Sequence, residues 1–199
     1  MISSVISRLN DRRDAAMELG EDAGFTLIEL MVVLLILAIL LAIAIPTFLG
    51  VTGGANDRAA QSNLNTALTT AKAAETQNNQ SYTGVTAASL QNNEPSIAFK
   101  AGATTKQGDV SVYTDAVAGE GYGIVLASYS NSGNCWYVSD NINTVTDTAG
   151  PYTAGAGAAP TGPGTQYGVA KAANAAACNA TAALPTTTTW QAGKFPAAP

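Results

Sequence analysis

Glu29 is the residue whose chemistry stands out first. It is the only charged residue between Phe25 and Asn56, and Leu30 to Ile45 is apolar throughout. A carboxylate in such a segment costs about 2.5–3.5 kcal/mol on membrane-insertion scales, so it must be paired or neutral. Its natural role is to meet a cation in an apolar setting. Cys135 and Cys178 are the only cysteines, and both follow the apolar segment. An even pair so placed suits an exported domain with one disulfide; two unrelated free thiols are the other reading. A bridge would enclose about 43 residues and stabilise the fold by about 4 kcal/mol in the chain-entropy account.

Catalytic material is scarce. Histidine is absent, which removes histidine-based acid–base chemistry and the usual Cys/His zinc sites. Asp140 and Asp147 read as lying in a loop that could hold calcium, but two carboxylates fall far short of the about 6–8 oxygens calcium takes. No nucleophile–base pair, metal site or cofactor site can be named, and the chain reads as a non-enzyme. Asn79-Gln80-Ser81 and Asn179-Ala180-Thr181 have the N-glycosylation pattern and carry no further claim. Trp136 and Tyr137 adjoin Cys135 and read as core or sheet-face residues.

Composition narrows the class. The chain has 199 residues, with 14 acidic groups against 9 basic ones, and no basic stripe beyond its first residues supports a nucleic-acid site. Charged residues make up 12%, about half the usual share. The surface is therefore polar but weakly charged, which suits a protein that sits among copies of itself.

These residues need elements to position them. Met1 to Ala23 is polar and holds Arg8, Arg12 and Arg13 ahead of the apolar run, which places the N-terminus in the cytoplasm. The run from Phe25 is long enough to span a bilayer as a helix. A secretory signal competes, because Ala42-Ile43-Ala44 resembles a small-x-small cleavage site that would leave Ile45 as the mature end. The acid-rich leader and the embedded Glu29 speak against it. Ala60, Leu64, Ala67, Leu68, Ala71 and Ala74 recur at helical spacing, so the helix should run from about Phe25 to Thr76, first apolar all round and then amphipathic. Pro46 removes one helical hydrogen bond and should bend it. With Gly50, Gly53 and Gly54, each costing about 1 kcal/mol relative to alanine, it makes Ala44 to Gly54 the weak segment.

Ser81 to Gly108 reads as loop, with a possible edge strand at Ser96 to Lys100. Val110 to Thr114, Tyr122 to Tyr129 and Cys135 to Ser139 read as strands of an antiparallel meander, separated by turns at Gly119-Glu120-Gly121 and Ser130 to Asn134. Gly150 to Gly168 reads as irregular loop, and the threonine run at Thr186–Thr189 with the Pro-Ala-Ala-Pro end as a tail.

Gly24-Phe25-Thr26-Leu27-Ile28-Glu29-Leu30, followed directly by an apolar helix, resembles the processing site of type IV prepilins and their pseudopilin relatives. The resemblance covers Gly24 to about Thr76 well and the rest as architecture only. It implies an inner-membrane prepilin peptidase that cuts after Gly24, whose missing side chain lets a protease approach the backbone. Phe25 would become the N-methylated terminus, and Glu29 the assembly carboxylate that meets a Phe25 amine. Pro46 matches the family's helix-bending proline, and Cys135 with Cys178 the pair that closes a C-terminal loop. The leader is longer than in many members.

The expected organisation is a removed leader over 1–24, a transmembrane and filament-core helix over 25–54, and an extracytoplasmic head over 55–199. The expected fold is α+β, with the long helix packed on an antiparallel sheet of about four strands. The implied role is a structural subunit, as a major pilin, of a type IV pilus used for adhesion, motility or DNA uptake. A pseudopilin of a secretion or competence system, and a secreted binding domain freed by signal peptidase, are the alternatives. Its partners would be copies of itself, the prepilin peptidase, the assembly platform with its ATPase and, before assembly, the membrane. The precursor would sit in the inner membrane and the product in an extracellular filament.

Overall fold

The computed structural model describes residues 25–115 and 121–199. Two compact units divide the chain, residues 1–48 and 49–199. Helix α1 is Leu27–Gln77. It is followed by α2 (Ala87–Asn93) and by strands β1 (Ala98–Lys100), β2 (Asp109–Thr114), β3 (Gly123–Ser130), β4 (Asn134–Asn141), β5 (Gly164–Lys171) and β6 (Thr189–Ala192).

Within the first unit, α1 carries its apolar side chains into the open: Leu27, Leu35 and Ile43 are 75%, 61% and 64% exposed. No polar face interrupts them, and among the described residues of this unit none is buried. The helix is assigned through Pro46. Beside it the Thr47 hydroxyl donates to the carbonyls of Ile43 and Ala44 at 3.1 and 2.9 Å.

In the second unit the remainder of α1 lies on a six-stranded sheet with order β1-β2-β3-β4-β5-β6. β1 pairs parallel with β2, and every later neighbour is antiparallel. The alternation of side chains along a strand sends Val110, Val112, Ile124, Leu126, Trp136, Val138 and Val169 to the helix side, where they pack with Ala60, Leu64, Ala67, Leu68 and Ala71. These are the stripe expected from the sequence. Ala60, Ala67 and Ala71 have no exposed surface, so the helix backbone approaches the sheet closely.

The opposite face is covered too. Val125, Ala127, Cys135, Tyr137 and Ala170 pack with Val145, Tyr152, Ala159, Cys178 and Leu184 from the long connections after β4 and β5. All eight residues of β4 are buried.

The sheet has two more strands than the four expected. β5 begins inside the stretch read as irregular loop, and β6 inside the stretch read as a tail. β5 was hidden by its glycines, which oppose strand formation alone, and β6 by its four-residue length. Gly168 of β5 lies opposite Trp190 of β6, and a Cβ on Gly168 would come within 3.0 Å of the indole ring. The glycine is there because the tryptophan takes its space. The presumed loop between Ser81 and Gly108 also holds α2, opened by a reciprocal cap in which Ser89 N donates to Thr86 Oγ1 at 3.2 Å and Thr86 N to Ser89 Oγ at 2.8 Å.

The C-terminal end grips both faces of the sheet. Trp190 joins the loop-side core, 6.2 Å from Tyr137 between ring centres, and its indole N–H donates to the Gly157 carbonyl at 3.1 Å. The chain then turns at Gly193, with φ +78°. Phe195 packs on the helix-side core, edge-on to Trp136 at 5.7 Å and to Tyr167 at 4.7 Å.

Candidate functional site

The start of α1 is built by a reciprocal cap. The Thr26 carbonyl accepts the first helical hydrogen bond, from Leu30 N at 3.3 Å, which makes Thr26 the N-cap residue. Its hydroxyl oxygen accepts from Glu29 N at 3.3 Å. In return, Glu29 Oε2 accepts from Thr26 N at 2.9 Å and from the Thr26 hydroxyl at 2.7 Å. Two of the amides that a helix leaves unpaired at its start are thus satisfied by side chains. A carboxylate in the first turn also faces the positive end of the helix dipole. The sequence carries this signal as Thr-x-x-Glu before an apolar run, and sequence reasoning missed it.

Phe25 is 82% exposed. Gly24, the expected cleavage residue, lies outside the described residues. Glu29 stands one helical turn from Phe25, and its carboxylate is held at the mouth of the helix.

In the head, two buried carboxylates pin α1 to β4. Asp57 of α1 accepts from Trp136 Nε1 at 3.0 Å, from Asn134 Nδ2 at 3.1 and 3.2 Å, and from the Ser132 hydroxyl. Burial pushes this carboxyl upward, but the hydrogen bonds from Ser132, Ser130, Trp136 and Asn134 outweigh it and hold the group below the usual carboxylate range. Farther along, Asp140 of β4 binds Lys72 Nζ of α1 at 2.9 Å, accepts from the Tyr82 hydroxyl at 2.6 Å and accepts from the Thr165 hydroxyl. Burial and this carboxylate drive the Tyr82 hydroxyl far above its ordinary value, so it remains a proton donor. The helical rise from Asp57 to Lys72 is about 22 Å, and the extended rise from Asn134 to Asp140 is about 20 Å. Helix and strand are matched in length between the two pins.

Cys135 and Cys178 are joined by a disulfide, with Cα atoms 5.4 Å apart. The bond ties β4 to the connection between β5 and β6. Trp136 and Tyr137 are both buried, on opposite faces of β4. Asp140 and Asp147 do not converge. The first serves Lys72, and the second accepts from the Tyr113 hydroxyl at 2.5 Å and from Ala149 N at 2.8 Å. Among the described residues no three His, Cys, Asp or Glu side chains gather as metal ligands.

A family model described as the prokaryotic N-terminal methylation motif matches residues 21–45. That motif is the hallmark of type IV pilin and pseudopilin precursors. No curated protein and no solved structure matches the chain. The long apolar N-terminal helix and the mostly antiparallel sheet form an α+β, type IV pilin-like arrangement. α1 is long and apolar enough to cross a membrane, and with the motif it fits a membrane-anchored precursor.

Proposed function

We propose that this chain is the major structural subunit of a type IV pilus. It is made as an inner-membrane precursor with its N-terminus in the cytoplasm, cut after Gly24, methylated on Phe25, and polymerised through the helix that begins there. The observation that carries this reading is the uncovered apolar surface. Large apolar side chains from Phe25 to Val51 are exposed, and the methylation motif ends within the same stretch. Burying a Leu, Ile or Phe side chain is worth about 1.5–3 kcal/mol, so this surface demands lipid at first and the helices of other copies afterwards. Glu29 gives such packing a polar constraint. A Phe25 amine enclosed among apolar helices needs a counter-charge, and a carboxylate from a neighbouring copy satisfies it at one axial offset only. The peptidase, the assembly platform and its ATPase are the partners this route requires.

Gentle shearing of cells, followed by mass measurement of what comes off, tests the reading. Filaments composed mainly of this chain, beginning at methylated Phe25, are the expected result. Filaments dominated by another protein with traces of this one exclude the major role. A processed chain that stays in the membrane fits a pseudopilin, and a soluble fragment beginning at Ile45 fits a secreted domain. Gly24→Val, which puts a β-branched side chain at the cut, should leave full-length precursor in the membrane.

A further inference from the structure

One end of the head gathers exposed cations, while Asp57 and Asp109 there are buried. β2 and β4 start at this end, and β3 and β5 finish there, as the pairings Ser130 with Asn134 and Asn134 with Lys171 require. Two hydrogen-bond chains knit it together. Gln107 Nε2 donates to Asn56 Oδ1 at 3.1 Å, and Gln107 Oε1 accepts from Asn131 N at 3.2 Å. Lys171 Nζ donates to Asn134 Oδ1 at 3.0 Å, and Asn134 Nδ2 donates to Asp57.

Arg58 follows Asp57, and Lys106 precedes Gln107. Arg58, Lys106 and Lys171 are all exposed. Among the described residues, the carboxylates of Asp57 and Asp109 at the same end are buried. Asp57 is occupied as described, and Asp109 accepts from Thr105 N at 2.9 Å, from the Thr105 hydroxyl and from Lys106 N at 3.3 Å. The half-exposed Glu94, four residues before Ala98 of β1, is held by Ser96 in its own loop. Lys72, by contrast, is engaged with Asp140 at the other end of β4.

Just ahead of Asp57 and Arg58, α1 carries exposed apolar side chains. Leu49 and Val51 are 64% and 73% exposed, and Arg58 follows Val51 by about 10 Å of helical rise. That is about one screening length at physiological salt. The Arg58 guanidinium at this distance from Val51 meets the phosphate layer of a bilayer that takes up those apolar side chains, and Lys106 and Lys171 stand at the same end of the head.

We propose that the end of the head bearing Arg58, Lys106 and Lys171 binds the phosphates of anionic phospholipids in the membrane that holds the unassembled subunit. This rests on the reading that the apolar helix enters a bilayer. The contact orients the head against the membrane surface before assembly and must be given up when the subunit leaves the lipid.

The test uses the full chain reconstituted into vesicles that carry a dansyl headgroup acceptor. Energy transfer from Trp136 and Trp190 reports how near the head stands to the lipid. Transfer should be greater in vesicles containing phosphatidylglycerol than in phosphatidylcholine alone. It should fall at about 1 M salt, where the screening length is about 3 Å. The triple variant Arg58→Gln, Lys106→Gln, Lys171→Gln should lose the response to lipid charge, each cation being worth about fivefold in local occupancy. Lys106→Arg with Lys171→Arg should keep it. The salt titration of the unaltered protein stands whether or not the triple variant folds. Transfer that ignores lipid charge and salt overturns the proposal, and so does a triple variant that keeps the lipid response and loses self-association instead. Vesicle flotation at high pH reports insertion separately. A chain that does not float defeats the membrane reading, whereas one that floats without a charge response defeats only this inference.

Discussion

The indole N–H of Trp136 donates to Asp57 across 79 residues of sequence, at 3.0 Å. A carboxylate on the helix thus holds a tryptophan at the centre of the sheet, and the same carboxylate takes the Asn134 amide and the Ser132 hydroxyl.

Removal of that acceptor should be costly. Asp57→Ala leaves buried donors on Trp136 and Asn134 unpaired, at about 1–3 kcal/mol each. Urea unfolding should lose about 3 kcal/mol, while Asp57→Asn, which keeps one acceptor oxygen, should lose less. A midpoint within experimental error of the unaltered protein would show that the network does not hold the helix.

Acid should act on the same group. Asp57 and Asp109 both have depressed folded-state values. Their stabilisation is therefore fully present above the unfolded carboxylate range near pH 4, and it is lost as pH falls through the lower folded values. Stability measured from pH 6 downward should drop below about pH 4, and Asp57→Asn should flatten some of that drop. An equally steep fall in the variant would assign the acid sensitivity elsewhere.

Cys178→Ser opens a loop of sequence separation 43. The connection it closes is rich in glycine, alanine and proline and packs one face of the sheet with few large side chains. Loss of the bridge should cost about 2–5 kcal/mol, read by denaturant titration, and the yield of assembled product should fall. Unchanged unfolding of Cys178→Ser with its remaining Cys135 thiol alkylated would show that packing alone holds that layer.

Glu29→Ala should separate insertion from assembly. The variant removes a charge that burdens membrane entry and the Glu29 half of the reciprocal cap at Thr26. It should still be cut and stay in the membrane, with few or no filaments in the sheared fraction. Glu29→Asp should assemble poorly because it reaches less far. Filament yield from Glu29→Ala equal to that of the unaltered chain would remove the carboxylate from the assembly mechanism.

The sequence exposed some of this and hid the rest for physical reasons. The stripe from Ala60 to Ala71 and the strands around Val112, Leu126 and Tyr137 were legible because their periodicity is local. β5 was not, because Gly168 makes sense only once Trp190 is known to lie over it. β6 was masked by its four-residue length and by its place at the end of a threonine run that gives no apolar alternation. The cap between Thr26 and Glu29 was written in three-residue spacing and was simply passed over. Asp57 carried no local signal, because its partners lie 75 to 79 residues away.

The matched pins on β4 have a mechanical consequence. A pull along α1 enters the sheet on a strand whose eight residues are paired to neighbours on both sides. Because helix and strand run alongside one another, the load acts along the strand, and the ladder bonds resist it together in shear. They would break singly, in sequence, only if the strand were peeled sideways. Under force spectroscopy the head should therefore yield in one high-force step, and a series of small ruptures would mean that the tension enters elsewhere.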